Sequence, residues 1–238
     1  MIKTGCCGFG KSHAEYFRAL PLLEVQKTFY QPPRTSTADR WRAEAPKNFE
    51  FTVKAWQLMT HEATSPTYRR MRRKLSVGES RKAGGFRWND LTRQAWEVTV
   101  DIARRLRADK IVFQTPASFH DTEANRDRLR TFFSEIERDG LICIWEPRGW
   151  GEQDAGDLCA DLGLVHCVDP FKDTSRTLGM RYYRLHGLSG YYHNYTAPEF
   201  RDLLQCCHEN ADNYVLFNNV SMFDDACRFR DYVHASST

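Results

Sequence analysis

Eight short segments of this chain carry the β-branched and aromatic residues typical of strands, and helical segments separate them from one end to the other. Such alternation favours a parallel sheet, and eight repeats favour closure into a barrel over an open, doubly wound sheet. We therefore predict an α/β fold, a single (β/α)8 TIM-type barrel over residues 1–238. The predicted strands are Ile2–Cys6, Glu24–Tyr30, Phe49–Ala55, Lys110–Gln114, Leu141–Glu146, Leu164–Asp169, Arg181–His186 and Tyr214–Asn218.

Helices are predicted in most connections between these strands, because apolar residues recur there at helical spacing after helix-starting residues. The predicted helices are His13–Leu20, Thr35–Ala45, Leu91–Leu106, Thr122–Arg138, Gln153–Leu162, Ala197–Asn210 and Met222–Val233. A short helical turn is predicted after the sixth strand. The connection after the third strand, about residues 56–88, is the longest and is predicted to be a basic insertion in the barrel. It is expected to hold a helix near Pro66–Leu75 and a loop around Gly78, Gly84 and Gly85.

Composition indicates a globular, cytoplasmic protein. The 238 residues are 41% hydrophobic and 27% charged, which suits a chain with one sizeable core. No apolar run approaches the roughly 20 residues that cross a bilayer, and a strand pattern follows Met1 directly, so no membrane association or signal peptide is expected. The eight cysteines include no C-x-x-C pair and are expected to be reduced and mostly buried.

Polar side chains stand at or just after the carboxyl-terminal ends of the predicted strands. The carboxyl-terminal ends of barrel strands meet at one mouth, which is where such barrels carry out chemistry. The residues predicted to reach this mouth include Tyr30, Lys54, Gln114, Glu146, Arg148, Asp169, Arg184, His186 and Asn218. Alternation along each strand assigns an apolar set to the opposite, helix-facing side: Phe29, Phe51, Val53, Ile111, Phe113, Tyr183, Leu185 and Phe217.

A mouth that combines both charge signs with an imidazole favours an anionic substrate. Lys54, Arg148 and Arg184 are predicted to bind the negative charge. The candidate catalytic residues are Glu146, His186 and Asp169, with Glu146 or His186 transferring a proton. Taken singly, each charged residue could be solvated or ion-paired instead, and His186 could be a core histidine.

Glu146, Asp169 and His186 also offer ligand types for a divalent metal ion. A metal is possible but not favoured, because the sequence lacks a tight H-x-H or H-E-x-x-H spacing and the nearby Lys54, Arg148 and Arg184 would repel a cation. No phosphate-binding loop or dinucleotide-binding fingerprint is present, so the sequence identifies no cofactor.

Two further segments lie beside the predicted mouth. The basic segment, residues 69–87, holds eight lysines and arginines against the single acid Glu79, although the formal net charge of the chain is only +3. Such a run is either a solvated surface or an arm that attracts polyanions. The loop Gly187–Tyr195 carries three tyrosines, and Tyr195 is a candidate substrate-binding residue because aromatic rings stack on bases and sugars. Packing of this loop over its own barrel is the alternative.

Several motifs resemble those of the DUF72 family, the YecE-like proteins, in the same order along nearly the whole chain. They are residues 5–9 (GCCGF), 24–30 (EVQKTFY), 51–55 (FTVKA) with Thr60 and His61, 113–116 (FQTP), 145–150 (WEPRGW), 183–187 (YRLHG) and 214–219 (YVLFNN). The resemblance implies a TIM-type barrel and adds His61 and Asn219 to the candidate substrate-binding residues.

The resemblance implies no established reaction, since the family is uncharacterised and has only a suggested kinship to endonuclease IV and sugar-isomerase barrels. Gln26 replaces the usual asparagine, and Gly149 alone stands where the family usually has a histidine and a serine between the arginine and the tryptophan. We predict an enzyme of hydrolase or lyase type acting on an anionic, phosphorylated or nucleotide-like small molecule. The alternative is a non-catalytic module that binds nucleic acid through the mouth and the basic segment.

Overall fold

A computed structural model describes residues 1–236 and shows eight parallel strands that close into a barrel in chain order. Each strand pairs with the next, and the eighth pairs with the first over Ile2–Cys6. The strands are β1 (Ile2–Cys6), β2 (Leu22–Val25), β3 (Glu50–Lys54), β4 (Lys110–Gln114), β5 (Ile142–Glu146), β6 (Val165–Val168), β7 (Met180–Leu185) and β8 (Asp212–Phe217). The predicted (β/α)8 fold is confirmed.

The second strand differs from its prediction. The segment predicted as one strand, Glu24–Tyr30, holds only the end of β2 and is followed by a short helix, α2 (Lys27–Tyr30). The hydroxyl of Thr28 lies 2.7 Å from the carbonyl oxygen of Val25 and 2.5 Å from that of Lys54, which fixes the turn out of the strand. Strand-forming residues occupy a helical turn here because a short buried apolar run fits either structure.

The other helices surround the barrel, and the seven helices predicted outside the insertion are present. The surrounding helices are α1 (His13–Ala19), α3 (Thr35–Glu44), α4 (Gln57–Thr60), α5 (Val77–Lys82), α6 (Asp90–Leu106), α7 (Glu123–Glu135), α8 (Glu152–Leu162), α9 (Ala197–Cys206) and α10 (Met222–Ser236). The helical turn predicted after the sixth strand does not form a helix, because the described residues between β6 and β7 form turns and irregular backbone. Helices α7 and α9 end about one turn before their predicted limits, because the backbone becomes extended at Ile136 and Cys207. Within residues 1–236 no helix is long and apolar enough to span a membrane.

The insertion after β3 is less helical at its start and more helical at its end than predicted. Only a 3-10 turn, Pro66–Arg70, forms where a helix over Pro66–Leu75 was expected. Helix α5 replaces part of the expected glycine loop, because Ser76 and Glu79 form a capping box in which each side chain accepts a hydrogen bond from the other's backbone N–H.

Strand alternation sorts the core into two parts, as predicted. The outward faces of the strands pack against the helices through residues such as Phe51, Phe113, Tyr183 and Phe217. A smaller cluster fills the lumen and includes Leu22, Val112, Ile144, Cys167, Tyr182, Tyr214 and Leu216. The lumen cluster forms the floor of the mouth, so polar side chains above it are buried and need partners.

The cysteines are all unpaired, and five of the eight are buried. Cys6 lies in the helix-facing core, whereas Cys7 lies in the lumen cluster. The two adjacent thiols therefore point to opposite sides of the barrel wall, as neighbouring strand residues do.

Candidate active site

The centre of the mouth is a buried guanidinium held between two carboxylates. Arg184, near the end of β7, donates from Nη2 to Oε1 of Glu24 at 2.9 Å and from Nη1 to Oε2 of Glu146. The side chain of Arg184 is 0% exposed. Burial lowers the pKa of Arg184, but Cys7, Glu146 and Glu24 together raise it well above its ordinary value. The guanidinium therefore stays charged inside the barrel.

Glu24 is a part of this centre that the sequence analysis missed. Its other oxygen, Oε2, accepts from the hydroxyl of Tyr182 at 3.1 Å, and that hydroxyl lies 2.8 Å from Oγ1 of Thr52. Glu24 shares strand parity with Gln26, whose face was expected to point inward, so alternation could have identified it. The misplaced second strand put Glu24 at a strand start, whereas it is the third residue of β2.

Both carboxylate oxygens of Glu146 accept hydrogen bonds from arginines. Arg184 occupies Oε2, and Arg148 donates to Oε1 from Nε at 3.2 Å and from Nη2 at 3.1 Å. Burial raises the pKa of Glu146, but the guanidinium groups of Arg184 and Arg148 outweigh burial and lower it to about 2. At neutral pH this carboxylate carries no proton to donate, and it is a weak base. Its geometry therefore suits electrostatic positioning better than the predicted proton transfer.

Lys54 lies at the end of β3, 4% exposed. Its Nζ donates to Oε1 of Gln114 at 2.6 Å and lies 4.2 Å from the ring centre of Phe29. Nη1 of Arg184 approaches the same Gln114 oxygen at 3.5 Å, so two cationic groups share one neutral acceptor. Burial, followed by repulsion from Arg184, lowers the pKa of Lys54 to about 7.

His186 and Arg148 form the accessible rim of the site, with side chains 24% and 43% exposed. Nη2 of Arg148 donates to Nε2 of His186 at 3.1 Å. Because a guanidinium only donates, Nε2 accepts and the ring proton sits on Nδ1, which lies 3.6 Å from Oδ2 of Asp169. The same oxygen accepts from the backbone N–H of His186 at 3.2 Å, so Asp169 anchors the backbone of His186 and lies beside the Nδ1 edge of its ring.

A cavity of about 400 Å³ opens beside this rim, between the ends of β5 and β6 and helix α8. Glu146, Arg148, Asp169 and His186 line it. The sequence analysis did not select several other lining residues: Trp150, Glu152, His166, Lys172 and Asp173. Trp150, Glu152, Lys172 and Asp173 stand in or beside the loops after β5 and β6, and position in such a loop was the signal that could have identified them. His166 lies within β6.

His61 lies close to the centre but is enclosed. Its Nδ1 is 2.8 Å from Oγ1 of Thr60, and its ring packs edge-on against Phe29 at 4.8 Å between ring centres. Burial, with Lys54 and Arg148 nearby, lowers its pKa to about 3. The imidazole is therefore neutral at physiological pH and does not act as an additional cation.

Tyr30 and Asn218 reach the mouth on its other side. Oδ1 of Asn218 accepts from Nε2 of Gln26 at 3.5 Å. Tyr30 lies at the end of α2, beneath the guanidinium of Arg70 at 3.6 Å from its ring centre. Tyr30, Gln26 and Arg70 line a second, smaller cavity of about 190 Å³. This cavity borders β1 and β2, whereas the larger one borders β5 and β6 on the far side of the ring of strands.

Three of the predicted substrate-binding residues are buried and make hydrogen bonds or ion pairs with other protein groups. Tyr195 packs against Phe217, and its hydroxyl accepts from the backbone N–H of Gly187 at 2.9 Å. Asn219 donates to Oδ2 of Asp225 and to the carbonyl oxygen of His193, both at 2.7 Å. Arg184 is enclosed between its two carboxylates. Sequence alternation could not separate these positions from exposed ones, because burial depends on the loops that cover them.

The described residues include no group of three His, Cys, Asp or Glu side chains placed to hold a metal ion. Glu146, one of the three side chains considered as metal ligands, directs both carboxylate oxygens to arginines.

Comparison with known proteins gives a consistent family match. The model of a family described as "Protein of unknown function DUF72" matches residues 10–236. The structure of a DUF72 family protein from Enterococcus faecalis is similar with a TM-score of 0.76 and 19% identity, covering 98% of each chain. A DUF72 family protein from Thermotoga maritima gives a TM-score of 0.70 and 16% identity, covering 98% of this chain and 99% of the other.

A more distant likeness is to endonuclease IV from Thermus thermophilus, with a TM-score of 0.52 and 10% identity over 98% of each chain. At this identity the likeness concerns the fold alone. No curated protein sequence matches the chain significantly.

Proposed function

This chain belongs to the DUF72 family of proteins of unknown function, and from that premise we propose that it is an enzyme acting on an anionic, phosphorylated or nucleotide-like substrate at the carboxyl-terminal mouth of its barrel. The reaction class is hydrolase or lyase. The observation that carries the proposal is the rim pair, in which the half-exposed guanidinium of Arg148 donates to an imidazole whose Nδ1 lies 3.6 Å from Asp169.

Arg148 is the group suited to meet the substrate anion. Its Nε and Nη2 are engaged with Glu146 and His186, and the exposed side chain lines the larger cavity. Guanidinium groups bind phosphate and carboxylate oxygens in a fork geometry. The exposed Lys172 lines the same cavity and adds a second cation to it.

His186 is the group suited to move a proton. An anion that draws Arg148 away from Nε2 would leave that nitrogen free to accept a proton, while Asp169 holds the opposite side of the ring. Glu146, with its pKa lowered to about 2, stays ionised and keeps Arg148 and Arg184 in place. The proton-transfer role that the sequence left open between Glu146 and His186 is therefore assigned to His186.

Direct titration tests the anion site. Inorganic phosphate and nucleoside monophosphates are titrated by calorimetry into the wild type, Arg148→Gln and Arg130→Gln. Arg130 is an exposed arginine of α7 that pairs with Glu123 and Asp127 and lines neither cavity of the mouth, so it is a matched control. We expect Arg148→Gln to weaken phosphate binding about tenfold or more and Arg130→Gln to leave it unchanged. Equal affinities in all three proteins would contradict the proposal.

The second candidate function, nucleic-acid binding, is favoured by the exposure of the basic segment. Arg69, Arg70, Arg72, Arg73, Lys74, Arg81 and Lys82 are all exposed. Glu79 neutralises Arg73, and Arg70 connects the segment to the smaller cavity through Tyr30. The fold likeness to endonuclease IV gives an additional reason to test nucleic acids. Steep loss of oligonucleotide affinity with added salt would support this candidate, and a flat dependence would contradict it.

A further inference from the structure

The barrel contains two buried lysines in opposite electrostatic situations. Lys54 and Lys110 are each 4% exposed. Lys110, at the start of β4, donates to Glu50 at 2.7 Å and to Asp109 at 2.8 Å, and these carboxylates keep it charged. Lys54, at the end of β3, donates to the neutral Gln114, and none of the ion pairs among residues 1–236 includes it. Burial and the charge of Arg184 therefore outweigh the weaker attraction of Glu24 and Glu146 for the charged amine, and this balance favours the neutral, nucleophilic form.

We propose that Lys54 is an amine nucleophile and that the substrate of this site is a small anionic aldehyde or ketone whose carbonyl carbon forms an imine with Nζ of Lys54. This inference rests on the proposed function. Of the two proposed reaction classes it selects the lyase, and it narrows the substrate to an anion that carries a carbonyl group. The Nζ lies over the face of Phe29 and donates one hydrogen bond, to Gln114, so the deprotonated amine would keep its lone pair for addition to a carbonyl carbon.

The anionic character of the substrate follows from the hydrogen bonds that connect Lys54 to the rim. Lys54 and Arg184 share the oxygen of Gln114, Arg184 binds Glu146, and Glu146 binds Arg148. A carboxylate or phosphate that binds Arg148 would therefore approach with its carbonyl near the buried amine. The low exposure of Lys54 restricts the reagent to a small one.

The reaction balances without an oxidant or reductant. The Nζ lone pair adds to the carbonyl carbon, the C=O π electrons move to oxygen, and that oxygen takes a proton. The hydroxyl of the resulting carbinolamine then leaves as water while the nitrogen loses its remaining proton, giving a C=N bond. His186, as the accessible imidazole of the site, carries the protons. The net products are one imine and one water.

Reductive trapping tests the inference. The protein is incubated with pyruvate or glyoxylate and cyanoborohydride, and the adduct is measured by intact mass and located by peptide mapping. We expect one adduct on Lys54, at least tenfold less in Lys54→Arg, and an unchanged amount in Lys110→Arg. Acetone, a neutral ketone, should give at least tenfold less adduct than pyruvate. The trapping rate should rise with pH near 7, where Lys54 loses its proton, and not near 10.5, the ordinary lysine value.

An adduct mapped to other amines, or none, would overturn the inference. Because mapping and the pH profile use the wild type, this conclusion does not require Lys54→Arg to fold. Phosphate binding that depends on Arg148 without any trapped adduct would refute the imine and leave the proposed function standing. If neither Arg148-dependent phosphate binding nor a trapped adduct is found, the proposed function and the imine are both refuted.

Discussion

Arg184 and Glu146 form an ion pair inside the barrel, with side chains only 0% and 8% exposed. The two residues lie on β7 and β5, so the pair connects strands that are not neighbours in the sheet. A charge buried in this way depends on its partners, because removal of one leaves the others uncompensated in a poorly solvated place. The pair therefore governs both the stability of the mouth and the charge state of its residues.

Arg184→Met should destabilise the protein by about 3–5 kcal/mol, because it leaves Glu24 and Glu146 facing each other without a cation. Urea denaturation followed by circular dichroism measures the change in the free energy of unfolding. Arg130→Gln, which breaks exposed ion pairs, should cost less than about 1 kcal/mol. A loss of less than about 1 kcal/mol for Arg184→Met would show that the pair contributes little.

Stability should fall between about pH 4.5 and pH 2 because of Glu146. Its pKa is lowered from 4.5 to about 2, so the unfolded chain takes up a proton before the folded protein does. The stabilisation is therefore present above pH 4.5 and is lost as pH falls toward 2. Unfolding measured at pH 5 and pH 3 should show a smaller decrease for Glu146→Gln than for the wild type. The exposed Glu209→Gln variant should retain the wild-type decrease.

His186→Asn should reduce turnover of any phosphorylated substrate by about 10²- to 10⁴-fold, the usual contribution of a positioned acid or base. The affinity for inorganic phosphate should change much less, because Arg148 remains in place. Steady-state kinetics and calorimetry on the same preparations separate the two effects. A variant with normal turnover, or one that loses phosphate binding and rate together, would exclude His186 as the proton carrier.

Gly5→Ala should destabilise the barrel by about 1–3 kcal/mol. A Cβ at Gly5 would lie 2.2 Å from the carbonyl oxygen of Leu22, where β1 and β2 approach each other closely. Gly78, inside α5, has no atom within 4 Å of the corresponding position, so Gly78→Ala should be neutral or stabilising by up to about 1 kcal/mol. Thermal unfolding of both variants checks the contrast, and equal midpoints would contradict it.

Neutralising Arg69, Arg72 and Lys74 together should flatten the salt dependence of oligonucleotide binding if the basic segment binds nucleic acid. Each lost phosphate contact reduces the slope of log affinity against log salt by about 0.9 for duplex DNA. Fluorescence anisotropy at several salt concentrations measures the slope. The same triple variant should leave inorganic phosphate binding at Arg148 unchanged. An unaltered slope would assign the segment to a solvated surface.

The sequence predicted which side chains of each strand share a face and where the strands follow one another along the chain, because both depend on local residue patterns. Seven strands, the helices outside the insertion and the inward orientation of Lys54, Gln114 and Arg184 follow from them. The end of β2 was not readable, because Val25–Tyr30 satisfies strand and helix preferences alike until Thr28 meets the carbonyl oxygen of Lys54 on the next strand.

The sequence by itself thus determined the barrel, the family resemblance and the set of charged residues at one mouth. Only the tertiary structure decided their partners: Glu24 with Arg184 across 160 residues, Arg148 with both Glu146 and His186, and Lys54 with the amide oxygen of Gln114. The physical reason is that ionisation depends on burial and on distances of a few ångströms between distant parts of the chain. Sequence spacing does not encode those distances.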